Sequence, residues 1–283
     1  MAKPAAQRVL SRLDDLPPLP RNTMRLGEII EDPASTPLQL AQVIEQDAAL
    51  AARVMRLANS AYCAVSSGVD NLERAVCLLG FSTIHHIALC LQSLQILGSQ
   101  GPPPPEQLME HSLQVACASQ LLAERLKLPL PQRFFAAGLL HDIGRLALYV
   151  LEPEQAHNWP ERAEQEPDRL LAERQLFGID HLEAGRLLAG KWKYPRALLG
   201  AIANHHPGLD GEGTEPAVAD RQLQQVVCVA DNWLRQLDRS SLPGVEFAPR
   251  TKPAVVLGLP GEPDEQFVLS LDIRLAEDTP AWG

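Results

Sequence analysis

The sequence predicts an all-α protein of two packed helical lobes, an N-terminal bundle of short helices and a second bundle beyond a proline-rich joint. Three observations predict it. Apolar residues make up 46% of the 283 residues and aromatics only 5%, so the core is mostly Leu, Ala, Val and Ile, a mix that favours helices. Apolar positions recur at three- and four-residue intervals, the repeat of one helix face. Gly101 is followed by four prolines, Pro102 to Pro105; such a run cannot be helical and tends to an extended form, which places an internal boundary there.

Taken in order, the first lobe spans residues 1–100. Pro17, Pro18 and Pro20 punctuate its start, and a helical pattern then runs until Pro33 stops it. Thr36-Pro37-Leu38-Gln39 has the form of a capping box with proline at the first helical position. Asp47 is placed to cap a helix running through Leu57, and Gly80 and Gly98 follow apolar runs as helix C-terminal glycines do. These helices are short and carry no long amphipathic stripe, so they should pack as a compact bundle. After the 101–105 connection the second lobe is expected over 106–240, helical from Glu106 to Leu237. Asp180-His181-Leu182-Glu183 reads as a further capping box, and Pro195 suits the start of the next helix. The last segment, 241–283, is rich in Pro and Gly, with one helix near Pro263–Ala276.

Bulk properties exclude several classes. With 25 Lys and Arg against 35 Asp and Glu the net charge is −10, and no basic face emerges that would bind nucleic acid through its phosphates. A helix-turn-helix around Gly80 to Leu97 can be drawn, but its second helix, Thr83 to Leu97, has no Lys or Arg, so direct DNA reading is not expected. Cys63, Cys77, Cys90, Cys117 and Cys228 are odd in number and set in apolar stretches; they read as reduced core residues of a cytosolic protein. No continuous apolar run approaches the roughly 18–20 residues of a membrane span, and the N-terminus opens no signal peptide. A cytoplasmic protein without membrane contact is the expectation.

The second lobe carries polar residues on apolar helical faces. His111 shares the 4, 3, 4 spacing of Val115, Ala118 and Leu122; His141 falls in line with Phe134, Ala137, Gly144 and Leu148; Asp231 follows Leu223 and Val227. Each would point inward, where an unpaired polar group costs roughly 1–3 kcal/mol. His111, His141, Asp142 and Asp231 are therefore candidate ligands for a divalent cation (Fe, Mn, Zn or Mg) able to polarise a phosphate and activate water. His181, His205 and His206 are candidates for extending the site toward a second metal. A plainer reading stands beside this one. A histidine on an apolar face is more often a hydrogen-bonded core residue, Asp142 can simply accept from one of these imidazoles, and His205 and His206 can merely favour a helix C-terminus. His85 and His86 are assigned to packing or surface.

At these residues the chain resembles the HDOD (HD-related output domain) proteins of bacterial signalling. The likeness runs through Leu16-Pro17-Pro18-Leu19-Pro20, Ile44 to Leu50, Arg56 to Ala61 and Ala75 to Gly80. It continues through Ala137-Gly138-Leu139-Leu140-His141-Asp142-Ile143-Gly144, Gly178 to His181, Trp192 to Pro195 and His205-His206. Singly these motifs are weak, and Arg56 to Ala61 also reads as a plain helix C-terminus whose Asn59 and Ser60 bond local backbone; their order is the strong signal. The resemblance implies an all-helical fold, usually without demonstrated catalysis, acting as an output or scaffolding element. The order His, His-Asp, Asp is that of the HD phosphohydrolases.

The chain is also similar to the HD-GYP phosphodiesterases at His141 to Gly144, His181, His205-His206, Asp210-Gly211, Gly213 and Asp231. It departs from them where the family has a lysine and this chain has Arg145, at Pro207 in place of a glutamate, and at Gly213-Thr214-Glu215 in place of Gly-Tyr-Pro. Cyclic di-GMP hydrolysis is accordingly not expected. Two readings result: a non-catalytic signalling module that binds a protein partner or ligand, or a metal-dependent phosphohydrolase in which Arg145 is a candidate phosphate contact.

Overall fold

A computed structural model describes residues 4–59, 68–166, 168–206, 218–239 and 252–282. Every regular element among them is a helix. The first hundred residues form α1 (Ala5–Asp15), α2 (Arg21–Glu31), α3 (Pro37–Ile44), α4 (Ala48–Ala58), α5 (Leu72–Leu79) and α6 (Phe81–Gly98). Beyond the prolines come α7 (Glu106–Arg125), α8 (Gln132–Leu140), α9 (Ile143–Leu151), α10 (Pro153–Ala156), α11 (Trp159–Gln165), α12 (Arg169–Phe177), α13 (His181–Lys191), α14 (Arg196–Asn204) and α15 (Val218–Gln236). The chain closes with α16 (Lys252–Val256), which the sequence reading did not anticipate, and α17 (Glu265–Trp282).

The local signals act as expected at the first-lobe caps. Thr36 Oγ1 accepts from the Gln39 N–H and Gln39 Oε1 accepts from the Thr36 N–H at 2.8 Å, closing the capping box. Asp47 Oδ1 accepts from the Leu50 N–H at 3.0 Å, and its other oxygen accepts from Gln92 at 3.0 Å, which ties α4 to α6. Gly80 adopts φ 78° at the corner where α5 and α6 meet with a bend of 105°, a backbone conformation that suits glycine. Asn59 bonds the Met55 carbonyl but also exchanges two bonds with Val69, at 2.7 and 2.8 Å, so it ties the end of α4 to Val69 as well as ending a helix. Ser60 lies outside the described residues. Asp180 caps α13 through the Glu183 N–H, without the reciprocal bond of a full capping box.

One apolar core runs from Val9 to Leu271 through both lobes, and α6 joins them by packing on α2 from one side and α8 from the other. The first helix departs from its expected place. Rather than completing the N-terminal bundle, α1 packs on α9, α12 and α13. Arg8 and Arg12 reach Glu152 at 3.6 and 3.5 Å, Lys191 donates to the Leu13 and Asp14 carbonyls, and the Trp192 indole N–H donates to Pro17 at 3.1 Å. Opposite charges and backbone acceptors, invisible as local periodicity, recruit it to the second lobe.

Two further expectations need correcting. His141 and Asp142 do not lie within one continuous helix. They form a break between α8 and α9, with Asp142 at φ −98°, ψ 20°. Cys90, Cys117 and Cys228 are buried, but Cys77 is exposed, because it sits on the outer face of α5; Cys63 is outside the described residues. One stretch among the described residues, Gln132–Leu151, passes a length and hydropathy test for a membrane span, but its apolar window is 94% buried inside the protein as core.

Candidate metal centre

Five separate parts of the second lobe converge on one buried cluster. α7 supplies His111, the α8–α9 break supplies His141 and Asp142, and α9 adds Arg145 one turn on. His181 is the first residue of α13, His205 and His206 follow α14, and α15 supplies Asp231. Two glycines permit this approach. A Cβ on Gly138 would stand 2.7 Å from the Ala116 Cα, and one on Gly144 would stand 1.9 Å from the His181 carbonyl oxygen. Both conflicts are with backbone, so only glycine lets α8 lie on α7 and α9 on α13. None of the eight residues, Arg145 included, is more than 5% exposed.

Hydrogen bonds orient the imidazoles. The Nδ1–H of His141 donates to the Gly138 carbonyl at 2.7 Å and that of His205 to Ile202 at 3.0 Å, so each turns its Nε2 inward. His181 donates its Nδ1–H to Glu173 at 2.6 Å, and the same carboxylate oxygen accepts the His181 backbone N–H at 2.7 Å. This is the anchoring that metal-ligating histidines commonly use. Asp142 Oδ1, His181 Nε2 and His205 Nε2 then form a near-equilateral triangle, with edges of 3.4, 3.4 and 3.5 Å. Such edges describe one face of a tetrahedron whose centre lies about 2.1 Å from each corner, close to a Zn–N bond length. Two of the buried atoms, His141 Nε2 and Asp142 Oδ1, have no hydrogen-bond partner. Buried polar atoms left so are rare and call for an explanation such as an ion. The donor set fits a divalent cation.

The structure brings all seven sequence-predicted ligands together. The ligand atoms of His111, His141 and Asp231, of His141, Asp142 and His205, and of His181, His205 and His206 lie within 4.8 Å of one another in each group. Asp231 is nonetheless heavily committed: Arg235 grips both its oxygens at 2.8 and 2.7 Å, and His111 Nε2 lies 3.1 Å from one of them. Arg145 is engaged too. Its guanidinium meets Asp142 at 2.5 Å and Glu173 at 3.0 Å, so it faces protein carboxylates rather than a space for substrate phosphate. Of the positions weighed against HD-GYP enzymes, Pro207 and Asp210 to Glu215 lie outside the described residues.

Glu173 and Arg235 were not anticipated. Arg235 was legible, since it sits one turn after Asp231 at the spacing of a helical ion pair. Glu173 offered almost no signal: its helix, Arg169–Phe177, has no clear apolar face, and its partners are 28 and 8 residues away. Burial works against charge throughout this cluster. It pushes the carboxyls of Asp142, Glu173 and Asp231 up, but Arg145, Arg235 and the adjacent imidazoles outweigh it and hold all three below the ordinary carboxylate range. Burial also keeps His141 neutral, its pKa pushed down to about 3, and lowers His205 and His206. Neutral imidazoles and ionised carboxylates are the forms that bind metals.

The sequence profile of the HDOD domain matches residues 16–207, which cover the N-terminal bundle and most of this cluster. The chain belongs to the HDOD family. A crystal structure of an HDOD domain protein of unknown function from Geobacter sulfurreducens is similar at 25% identity and TM-score 0.72, over 97% of this chain and 96% of that one. A candidate signal transduction protein from Marinobacter aquaeolei VT8 shares the fold at 22% identity and TM-score 0.69, over 98% of this chain and 64% of that one. So does a candidate metal-dependent phosphohydrolase from Shewanella amazonensis SB2B, at 24% identity and TM-score 0.62, over 96% and 98%. An uncharacterized protein of Treponema pallidum (strain Nichols) is 24% identical over 203 residues, 71% of this chain and 39% of that protein. This HDOD chain thus spans about two fifths of that longer relative.

Proposed function

We propose that this HDOD chain is a non-catalytic output module of signal transduction, which binds a protein partner and holds a divalent cation in the His/Asp centre as a structural or regulatory element. The observation that carries this reading is the combination of burial and guanidinium pairing. No ligand candidate is more than 5% exposed, while Arg145 and Arg235 already neutralise Asp142 and Asp231. A phosphohydrolase needs an open coordination position and a path for substrate; a cation serving as a staple needs neither. The family resemblance to output proteins points the same way.

The orphaned His141 Nε2 and Asp142 Oδ1 favour a second reading, a metal-dependent phosphohydrolase acting on a nucleotide. There the metal would be held by His141, Asp142, His181 and His205, with His111 and Asp231 beside them. Elemental analysis of chain purified without chelator or nickel resin separates the two when paired with a nucleotide panel. Near-stoichiometric Zn, Fe or Mn, lost in His141→Gln, with no turnover in Mn, Fe or Mg, is the outcome expected of the module. Turnover that disappears in His141→Gln would establish the hydrolase, and metal-free wild type would remove the cation from both. Asp142→Asn is the weaker choice of variant, because it also strands Arg145 in the core.

A further inference from the structure

We infer that the cleft between the two lobes is an effector site for a small amphipathic anion, linked to the His/Asp centre through α7 and α8. The cleft has a volume of about 830 Å³ and lies between α4, α6, α7 and α17, with Leu139 of α8 at its base. That falls within the roughly 300–1,000 Å³ of small-ligand sites. Leu50, Leu91, Leu94, Met109 and Leu113 give it apolar walls.

Its charges are segregated, and one is unmet. Among the described residues, Arg53, on the α4 wall, is the only cation lining the cleft, and no ion pair or hydrogen bond engages its guanidinium. Burial and the neighbouring Arg56 both disfavour its charge, the reverse of what a nearby carboxylate would do. The acids stand on the α7 wall and are accommodated there: Glu110 accepts from Gln114 at 3.1 Å, and Glu106 lies in the first turn of α7, where a helix favours negative charge. Gln114 Oε1, also lining the cleft, is a buried acceptor with no partner. An apolar body with one anionic group set against Arg53 complements this surface.

The link to the centre is geometric, and this half of the inference rests on the proposed cation site. At 3.6 residues per turn, Met109, Glu110 and Leu113 lie roughly 160–260° around α7 from His111, and Leu139 roughly 200° around α8 from His141. The two helices therefore show one face to the cleft and the other to the cluster. A ligand seated against Leu139 and Leu113 presses on the elements that carry His141 and His111.

The test titrates the full chain with 1-anilinonaphthalene-8-sulfonate and displaces it with decanoate, decanol and decylammonium. One dye per chain is expected, displaced by decanoate at about tenfold lower concentration than by decanol, since a charge-assisted contact is worth roughly that factor. Arg53→Gln should erase the preference without changing helical circular dichroism, and Leu113→Trp, which fills the cleft, should abolish displaceable dye. Equal displacement by decanoate and decanol, or dye binding indifferent to both variants, overturns the site. Saturating decanoate should also shift Mn affinity about fivefold; an unchanged affinity overturns the link. Decanoate binding is read without metal, so a chain that shows the charge preference but takes up no cation sinks the cation reading and the link while the site stands.

Discussion

The two halves of the molecule bury different things. Among the described residues before residue 100 the buried polar side chains are Thr23, Thr83, His86, Gln92 and Ser93, none with a formal charge. Beyond it the core holds Asp142, Arg145, Glu152, Arg169, Glu173, Asp180 and Asp231 as well as five histidines. The first half is held by apolar packing and helix caps; the second holds its shape around a network of ions. A buried ion network contributes little net stability over a well-packed apolar core, yet it is costly to break at one partner. Asp142, Arg145, Glu173 and Asp231 gather with the five histidines at one locus, which points to a site rather than to general stabilisation.

The largest effects should come from breaking the network or the backbone contacts that permit it. Gly144→Ala sets a methyl 1.9 Å from the His181 carbonyl oxygen and 2.5 Å from the Gly185 nitrogen, so α9 and α13 must separate, and unfolding in urea should show loss of most of the stability or no folded chain. Gly98→Ala, with nothing within 4 Å of the added atom, is the matched control and should be neutral or slightly stabilising. Next in size, Arg145→Met strands Asp142 and Glu173 and should cost about 3–5 kcal/mol by denaturant titration. Leu40→Ala in the first lobe, fully buried, should cost about 2–5 kcal/mol by cavity formation. A neutral Arg145→Met would erase the contrast between the halves.

A smaller effect is carried by pH. Burial pushes His86 down to about 3, against an ordinary value near 6.5. The folded protein keeps His86 neutral while the unfolded chain takes up a proton, so the unfolded state gains protons as pH falls. Its contribution to stability is therefore intact above 6.5 and is lost progressively from 6.5 toward 3. Thermal melts of His86→Gln across that window should show a shallower dependence than wild type; identical slopes would remove His86 from the account. The least effect is expected at the exposed pair Arg125–Asp264, 2.5 Å apart with both side chains about 40% exposed. Arg125→Ala should change stability by under about 1 kcal/mol, and less still in high salt.

Much of this was legible in the chain. Pro33 and the cap at Thr36, the cap at Asp47 and the glycine at 80 are local signals, read within four residues, and each marks a helix end. The histidines and aspartates of the centre were legible for another reason: a polar side chain recurring in phase with Leu, Val and Ala has to be buried, and a buried one must have partners. Which partners it has is a long-range matter. Glu173 meets His181 and Arg145 because the α12–α13 turn brings them round, and α1 leaves its own lobe because Glu152 and the end of α13 bind it.

The sequence by itself determined most of the helices, their caps and the list of inward-facing polar residues, because those follow from periodicity and short-range hydrogen bonding; the family was carried by the order of its motifs. Only the tertiary structure decided that Arg145 and Arg235 neutralise the carboxylates, that Glu173 orients His181, and that a cleft backs onto the same two helices. These depend on contacts between residues far apart in the chain, and distance in space is what a linear pattern does not encode.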